Sequence, residues 1–173
     1  MGKMMPPNVR IDWVPLAGLT TPSAPKATEM NLGTNVSGAI EAGYRLSSTD
    51  SDTDNSKTII DEGNVDTPTI GNYEAMLTIF QDEIGAGTNA SPENPTIFTT
   101  AFNLWKAGHV EGWLIKRLGK KSSVAYAAGD VVSVYRVIND IIREKDSDKG
   151  APTKVEIEFG PQGTFHQNVV AVA

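Results

Sequence analysis

The chain has 173 residues, a formal net charge of −6, 39% hydrophobic residues, 16 glycines and 10 prolines, which suits one domain with a genuine core, or one domain plus arms, built as a loop-rich and mostly β chain. The absence of cysteine excludes disulfides, thiolate nucleophiles and cysteine metal sites. No apolar run approaches the roughly 20 residues that a membrane helix needs, and the opening "MGKMMPPNVR" lacks the apolar core of a secretory signal.

The charge is concentrated. Asp50, Asp52, Asp54, Asp61, Glu62 and Asp66 face one base, Lys57, so this segment carries −5 and the rest of the chain is close to neutral. An acidic chain without a broad basic face is poorly suited to gripping nucleic acid, where phosphate neutralisation dominates affinity. The one basic cluster is "KRLGKK", with Lys116, Arg117, Lys120 and Lys121. Four bases around a glycine describe a solvated hairpin tip, or a docking surface for an acidic partner.

In chain order, residues 1–8 read as an N-terminal arm and 9–173 as a single domain. "VRIDWV" alternates Val9, Ile11 and Trp13 with Arg10 and Asp12, the period of a half-buried strand. "TPSAPKATEMNLG" predicts a short helix with Ser23 as its cap and Gly33 as its stop. "VSGAIEAGYRL" reads as a broken strand, because Gly38 and Gly43 weaken its interior. An extended acidic loop follows at about 47–66, containing a short strand in "KTIIDEG".

Tyr73 to Gln81 predicts a strand with apolar residues on both faces, hence one covered on each side. "GAGTNASPENP" is a turn-rich loop. Asn94 as cap and Pro95 at the first position open the one strong helix, at about 95–107, with Phe98, Ala101, Phe102 and Trp105 on one stripe and Gly108 at the stop. Strands follow in "VEGWLIKRL", "SVAYAAGDVVSVYRVIND", "TKVEIEFG" and "GTFHQNVVAVA", with "GPQG" as a turn before the last. Strands, one helix, then strands predict a mainly β fold. It is an antiparallel two-sheet sandwich or barrel-like domain with one flanking helix and long loops.

Motifs for chemistry are weak. With Asp50 as position 1 of a calcium loop, Asp52 and Asp54 fill positions 3 and 5, but Asn55, Lys57 and Asp61 stand where glycine, an apolar residue and a bidentate glutamate belong. An EF-hand is therefore rejected, while an adventitious or interface calcium site stays open. "GAGTNA" fits a loose dinucleotide fingerprint, but Pro92 and Pro95 displace the helix start that would hold a phosphate. His109 and His166 have no partner at ligand spacing, and Glu156 and Glu158, two apart on a strand, are more simply an exposed face than a paired-carboxylate site. There is no G-x-S-x-G elbow, P-loop or H-E-x-x-H, so the chain does not read as an enzyme and implies no cofactor.

"VRIDWV", "DSDTDNSKTIIDEGNVDTPTIGNYEAMLTIFQD", "AFNLWKAGHVEGWLIKRLGKKSSVAYAAGDVVSVYRV" and "FGPQGTFHQNVVAV" together resemble the tail tube (major tail) proteins of long-tailed, non-contractile bacteriophages, especially those of actinobacterial hosts, from about Val9 to Val172. The leader "MGKMMPP" has no match in that pattern, and no immunoglobulin-like decoration domain follows the last strand. The resemblance implies a virion protein of the tail, made in the host cytoplasm. It implies six subunits per ring, inner sheets joined into one barrel, and rings stacked into a conduit for the genome. The implied partners are further copies of the chain, a tape measure protein, a tail terminator and tail tip proteins, with DNA passing through unbound and no membrane.

Two expectations about residues follow. Asp50, Asp52, Asp54, Asp61 and Glu62 of one subunit meet Lys116, Arg117, Lys120 and Lys121 of another, setting ring stacking or lateral packing. Glu156 and Glu158 face the lumen. The alternatives are a calcium-dependent β-sandwich binding module, and the tube of a contractile tail or a secretion system.

Overall fold

The computed structural model describes residues 8–56, 67–81, 97–145 and 153–173. In chain order the strands are β1 (Val9–Pro15), β2 (Thr34–Asn35), β3 (Arg45–Thr49), β4 (Thr53–Asp54), β5 (Thr67–Pro68), β6 (Asn72–Phe80), β7 (Glu111–Leu118), β8 (Val131–Asn139), β9 (Arg143–Lys145) and β10 (Lys154–Val170). The α-helices are α1 (Ala27–Asn31) and α2 (Ile97–Trp105). The strand expected in "KTIIDEG", the loop "GAGTNASPENP" and the Asn94 cap lie outside the described residues.

One antiparallel sheet runs β2-β1-β7-β8-β10-β6-β3, with β9 added beside β10, and β4 and β5 form a separate two-stranded ribbon. The fold is mainly β with one main helix, as the strand–helix–strand order predicts. The sandwich-like layering comes from one continuous sheet closing over its own core, and among the described residues that sheet does not close into a barrel.

β10 joins the two halves. Its first part pairs with β6 from Lys154 to Phe159, and its second pairs with β8 from Phe159 to Val170. The turn expected at "GPQG" is instead extended chain inside β10, with register shifts between Pro161 and Phe165 and again between His166 and Val169. Pro161 cannot donate to a ladder, and Gly163 takes a left-handed φ of 74°, so the chain bulges without reversing. Tyr73 bridges the bulge. Its hydroxyl donates to the Arg136 carbonyl and accepts from the Gln162 N–H at 2.7 Å, which satisfies a donor that the broken ladder releases.

The strand alternation places two apolar clusters on opposite faces. The larger holds Ile11, Trp13, Leu114, Tyr135 and Val137 from one half and Leu46, Tyr73, Leu77, Ile79, Val155 and Ile157 from the other. Helix α2 drops Ala101 and Trp105 into it, with Phe98 and Phe102 flanking, so the predicted stripe is the packed face. Trp13, Trp105 and Phe159 meet at its centre, with Trp105 edge-on to the other two rings at 5.6 and 5.5 Å. The smaller cluster, on the other face of β1, β7 and β8, includes Val14, Met30, Trp113, Ile115, Tyr126, Val134 and Ala171. It lies beneath α1, the 119–130 connection and the C-terminal residues. Helix α1 begins after Lys26, not at Ser23, because Lys26 is held by a parallel bridge to Val172 that fixes where the chain can turn helical.

Asn139, fully buried at the end of β8, ties α2 to the sheet. Its Nδ2 donates to the last helical carbonyl, Trp105 O, at 2.9 Å, and its Oδ1 accepts from the Val110 N–H at 2.8 Å. Gly112 makes the close approach of β7 to β1 possible: a Cβ there would lie 2.5 Å from the Trp13 ring and 2.7 Å from the Val14 carbonyl. Gly112→Ala is expected to lower stability by about 1–3 kcal/mol through overpacking, read as a lower urea midpoint at unchanged slope. A neutral result would contradict this close approach of β7 to β1.

Candidate functional site

The acidic stretch is an arm. Antiparallel pairing of β3 with β6 is followed outward by the β4–β5 ribbon. The Asp52 N–H donates to Ile70 O at 2.9 Å, the Thr69 N–H donates to Asp52 O at 2.7 Å, and Asn72 Nδ2 donates to Asp52 Oδ1 at 3.0 Å. Every residue from Ser47 to Ser56 is exposed, as is Thr67 to Gly71. With so little apolar surface, the described part of the ribbon is held by hydrogen bonds and gains little from burial.

The three aspartates do not converge. Asp52 engages Asn72, while Asp54 accepts from the Ser56 hydroxyl and N–H, which hold its carboxyl below the usual range. Among the described residues no group of three or more His, Asp or Glu is placed to hold a metal ion. Asp61 and Glu62, together with Lys57 and Asp66, lie outside the described residues.

The four bases of "KRLGKK" are distributed to different places by strand alternation. Lys116 lies on the side of the larger core, and its ammonium reaches across to the Leu46 carbonyl of β3; burial holds its pKa below the usual lysine value. Arg117 points the other way and is buried at 1% exposure. Lys120 pairs with Asp130 within the subunit, keeping about half of its side chain exposed. Lys121 is exposed, and among the described residues its side chain has no acidic partner.

Arg117 belongs to a buried ionic network that shapes the 119–130 connection. Its guanidinium donates to Asp130 Oδ2 at 2.9 Å and to the carbonyls of Ala125, Lys121 and Val124 at 2.9, 3.1 and 2.7 Å. On β1, Arg10 forms a bidentate pair with Asp12 at 2.7 and 2.9 Å and also donates to Val124 O. Tyr126 lies against both guanidiniums, 4.5 Å from Arg10 and 4.9 Å from Arg117, and its hydroxyl donates to Asp12 Oδ2 at 2.6 Å. Burial pushes the Tyr126 phenol far up, so it stays a donor. Burial also pushes the Asp130 carboxyl up, but hydrogen bonds from Lys120, the Ala127 N–H and Arg117 outweigh that and hold it below the usual range.

Sequence reasoning missed this network. The parity of Trp113, Ile115 and Arg117 on β7 was its only local signal, since the partners Val124, Tyr126 and Asp130 come from the loop beyond.

Glu156 and Glu158 lie on the face of β10 opposite Val155 and Ile157, which are buried. Locally the strand order is β3-β6-β10-β9. Among the described residues no strand pairs with the outer side of β3 or of β9. At the other end of the sheet, β1 is blocked: β2 pairs at Asp12 and Trp13, and the Ser37 hydroxyl and the Val36 N–H both donate to the Ile11 carbonyl.

Two clefts lie among the described residues. One, of about 400 Å³, is lined by Val9, Ile11, Ile40, Ala42 and Tyr44, with Ser37 and Glu41 as polar groups. Another, of about 330 Å³, brings His109, Asp140 and Glu158 to one wall, but both carboxylates are engaged by Arg143.

An antiparallel sheet with open edges and an exposed arm is the build of an assembling subunit, and the comparisons agree in class. The model of the phage tail tube protein family matches residues 3–173, so the chain belongs to that family, a family of structural phage tail proteins. The fold is shared with a chain in the cryo-EM structure of the anti-feeding prophage baseplate, 6-fold symmetrised, at TM-score 0.54 and 10% identity, covering 96% of this chain and 95% of that one. No curated protein matches. Among the described residues no helix is long and apolar enough to cross a membrane.

Asp130→Asn is expected to destabilise by about 3–5 kcal/mol near neutral pH, because it leaves Arg117 buried without its counter-charge. The sign in pH follows from the lowered carboxyl. The contribution is present above the unfolded aspartate value of about 3.9 and is lost as pH falls through the folded value below it. Thermal unfolding of both forms should therefore show a gap that closes below about pH 4; a gap constant in pH would contradict the assignment.

Proposed function

We propose that the chain forms the tail tube of a long-tailed, non-contractile phage of an actinobacterial host, as hexameric rings stacked into the conduit through which the genome leaves. The carrying observation is the β3-β6-β10-β9 sector, in which, among the described residues, no strand pairs with the outer side of β3 or β9. In this order β3 and β9 run in opposite directions, so β3 of one copy can pair antiparallel with β9 of the next. Such a head-to-tail contact closes into a ring when the rotation fits, and it removes the exposed edges that make a lone sheet prone to aggregation.

In this reading residues 9–173 are one tail-tube domain and 1–8 an arm. Glu156 and Glu158 face the bore, and the product resides in the virion tail after synthesis in the host cytoplasm. The tape measure protein occupies the bore, and terminator and tip proteins close the two ends. The chain's role is structural, not catalytic.

The acidic arm then meets a neighbouring ring or subunit. Asp50, Asp52 and Asp54 supply exposed carboxylates, and Lys121 with the outer part of Lys120 supplies counter-charge; Arg117 supports the connection that presents them, while Lys116 ties β7 to β3. Exposed pairs contribute only about 0.2–1 kcal/mol each, yet repetition around a ring lets them set register. The likeness to a chain of a six-fold baseplate favours one second reading, the tube of a contractile tail or secretion system, which a neighbouring sheath gene would support.

Electron microscopy of concentrated protein, with tip complex added as nucleus, should show stacked six-fold rings around a central hole; monomers persisting under those conditions would overturn the reading. Lys121→Glu should slow polymerisation severalfold, and adding Asp50→Lys should restore it. Tubes forming normally from Lys121→Glu alone would remove the arm contact from the account.

A further inference from the structure

The cleft of about 400 Å³ brings Val9 and Ile11 of β1 together with Ile40, Ala42 and Tyr44 from the chain that enters β3. Its polar side chains are already engaged. The Ser37 hydroxyl accepts from the Ile11 N–H at 2.8 Å and donates to the Ile11 carbonyl at 3.2 Å, and Glu41 is held by Lys154. What the cleft offers to a visitor is therefore apolar surface. A cation lies beside it. Lys116 is directly opposite Ile11 in register, its ammonium donates to the Leu46 carbonyl, and burial alone lowers its pKa, with no carboxylate acting on it. At the other end of the cleft Val9 is opposite Leu118, which is half exposed. The apolar surface thus runs on to where the 119–130 connection begins with Lys120 and Lys121.

The acidic arm carries the matching features. Ile70 is 64% exposed and is the one large aliphatic side chain among the arm's described residues, 50–56 and 67–71. Its carbonyl accepts from the Asp52 N–H at 2.9 Å, so the apolar side chain and the carboxylates are presented together. A subunit's own arm does not reach its own cleft. The cleft residues 40–44 precede β3 and the arm follows it, so five residues of extended strand, roughly 17 Å, separate the two. Pairing of β4 with β5 then carries Ile70 with the arm, away from Arg45. An Ile70 that fills this cleft has to come from another copy.

We propose that Ile70 of one copy is an apolar anchor that seats in the cleft between β1 and β3 of another, with the flanking aspartates set over Lys116 and Lys121. The inference rests on the reading that the arm meets a neighbouring copy, and it names the surface that receives the arm. Charge and anchor then divide the work. Exposed ion pairs are weak and are screened by salt, so they guide the approach and set register. Burial of an aliphatic side chain is not screened, and excluded salts such as sulfate strengthen it. Contact through this cleft should therefore persist at salt concentrations that remove the contribution of the aspartates.

The test uses the full chain, which has no cysteine of its own. Ile70 and Ala42 are both exposed, so Ile70→Cys and Ala42→Cys remove no core contact. Chains carrying one change each are mixed at polymerising concentration and mildly oxidised. Non-reducing electrophoresis should show covalent dimers well in excess of those from either variant alone, at low and at high salt. Independently, Ile70→Ser should raise the concentration needed for polymerisation at least about tenfold while leaving the urea midpoint of the subunit unchanged. Ile70→Leu should restore assembly. Ala42→Trp, which fills the cleft, should impair assembly and add little to Ile70→Ser, because both remove one contact. Normal assembly of Ile70→Ser, or no excess of mixed dimers, overturns the proposal. Rings that form without the 70–42 disulfide would do so while leaving the tube reading intact. Mixed dimers from chains that never close into rings would fault the tube reading and leave the anchor standing.

Discussion

β10 is the strand on which the other elements depend. Its seventeen residues are shared between two neighbours, β6 along the first part and β8 along the second. A strand that changes partners partway must bend, and the bulges around Pro161 and Gly163 supply the bend while Tyr73 satisfies the backbone that it exposes. Because β10 belongs to both halves, Trp13 on β1 and Leu77 on β6 fall into one core. β9 follows β8 along the side of β10 away from β6 and pairs with its start, and among the described residues no strand lies beyond β3 or β9 in this sector.

The two halves of the sheet serve different ends. On β1, β7 and β8 the outer face is buried beneath the 119–130 connection, α1 and the C-terminal residues, fixed by Arg117, Asp130, Arg10, Asp12 and Tyr126. Removing one partner of such a network strands a buried charge, which is strongly destabilising. On β3, β6, β10 and β9 the outer face is partly open, with Arg45, Glu74, Arg143 and Glu158 solvated and Glu156 and Thr78 largely covered. Rigidity in one half and accessibility in the other suit a subunit that must keep its shape while offering edges and an arm to neighbours.

Much of this was legible locally. The alternation in "VRIDWV" and "NYEAMLTIF", the stripe of Phe98, Ala101, Phe102 and Trp105, and the acidic stretch all reflect periods or charges that neighbouring residues reveal. What was not legible depends on residues distant in sequence. "GPQG" carries every local sign of a turn, yet pairing with β8 and the Tyr73 hydroxyl keep it extended. "KRLGKK" reads as one basic patch until strand parity sends Lys116 and Arg117 to opposite faces and Asp130 takes Lys120. The pairing of Glu156 and Glu158 with β9 required knowing that a three-residue strand returns beside β10, which no local pattern announces. Family membership followed from the whole chain, not from any one motif.

The central claim is that copies join through β3 and β9. The chain has no cysteine, so an introduced pair reports on that contact without background. One cysteine is placed at Glu144, and the other at Ser48 or Asp50, all on the same side of the sheet by strand parity. After mild oxidation of assembled protein, non-reducing electrophoresis should show a ladder of covalent oligomers ending at a closed hexamer, reversed by reductant. Assembled rings that yield only uncrosslinked chains with both placements would show that the subunits meet elsewhere.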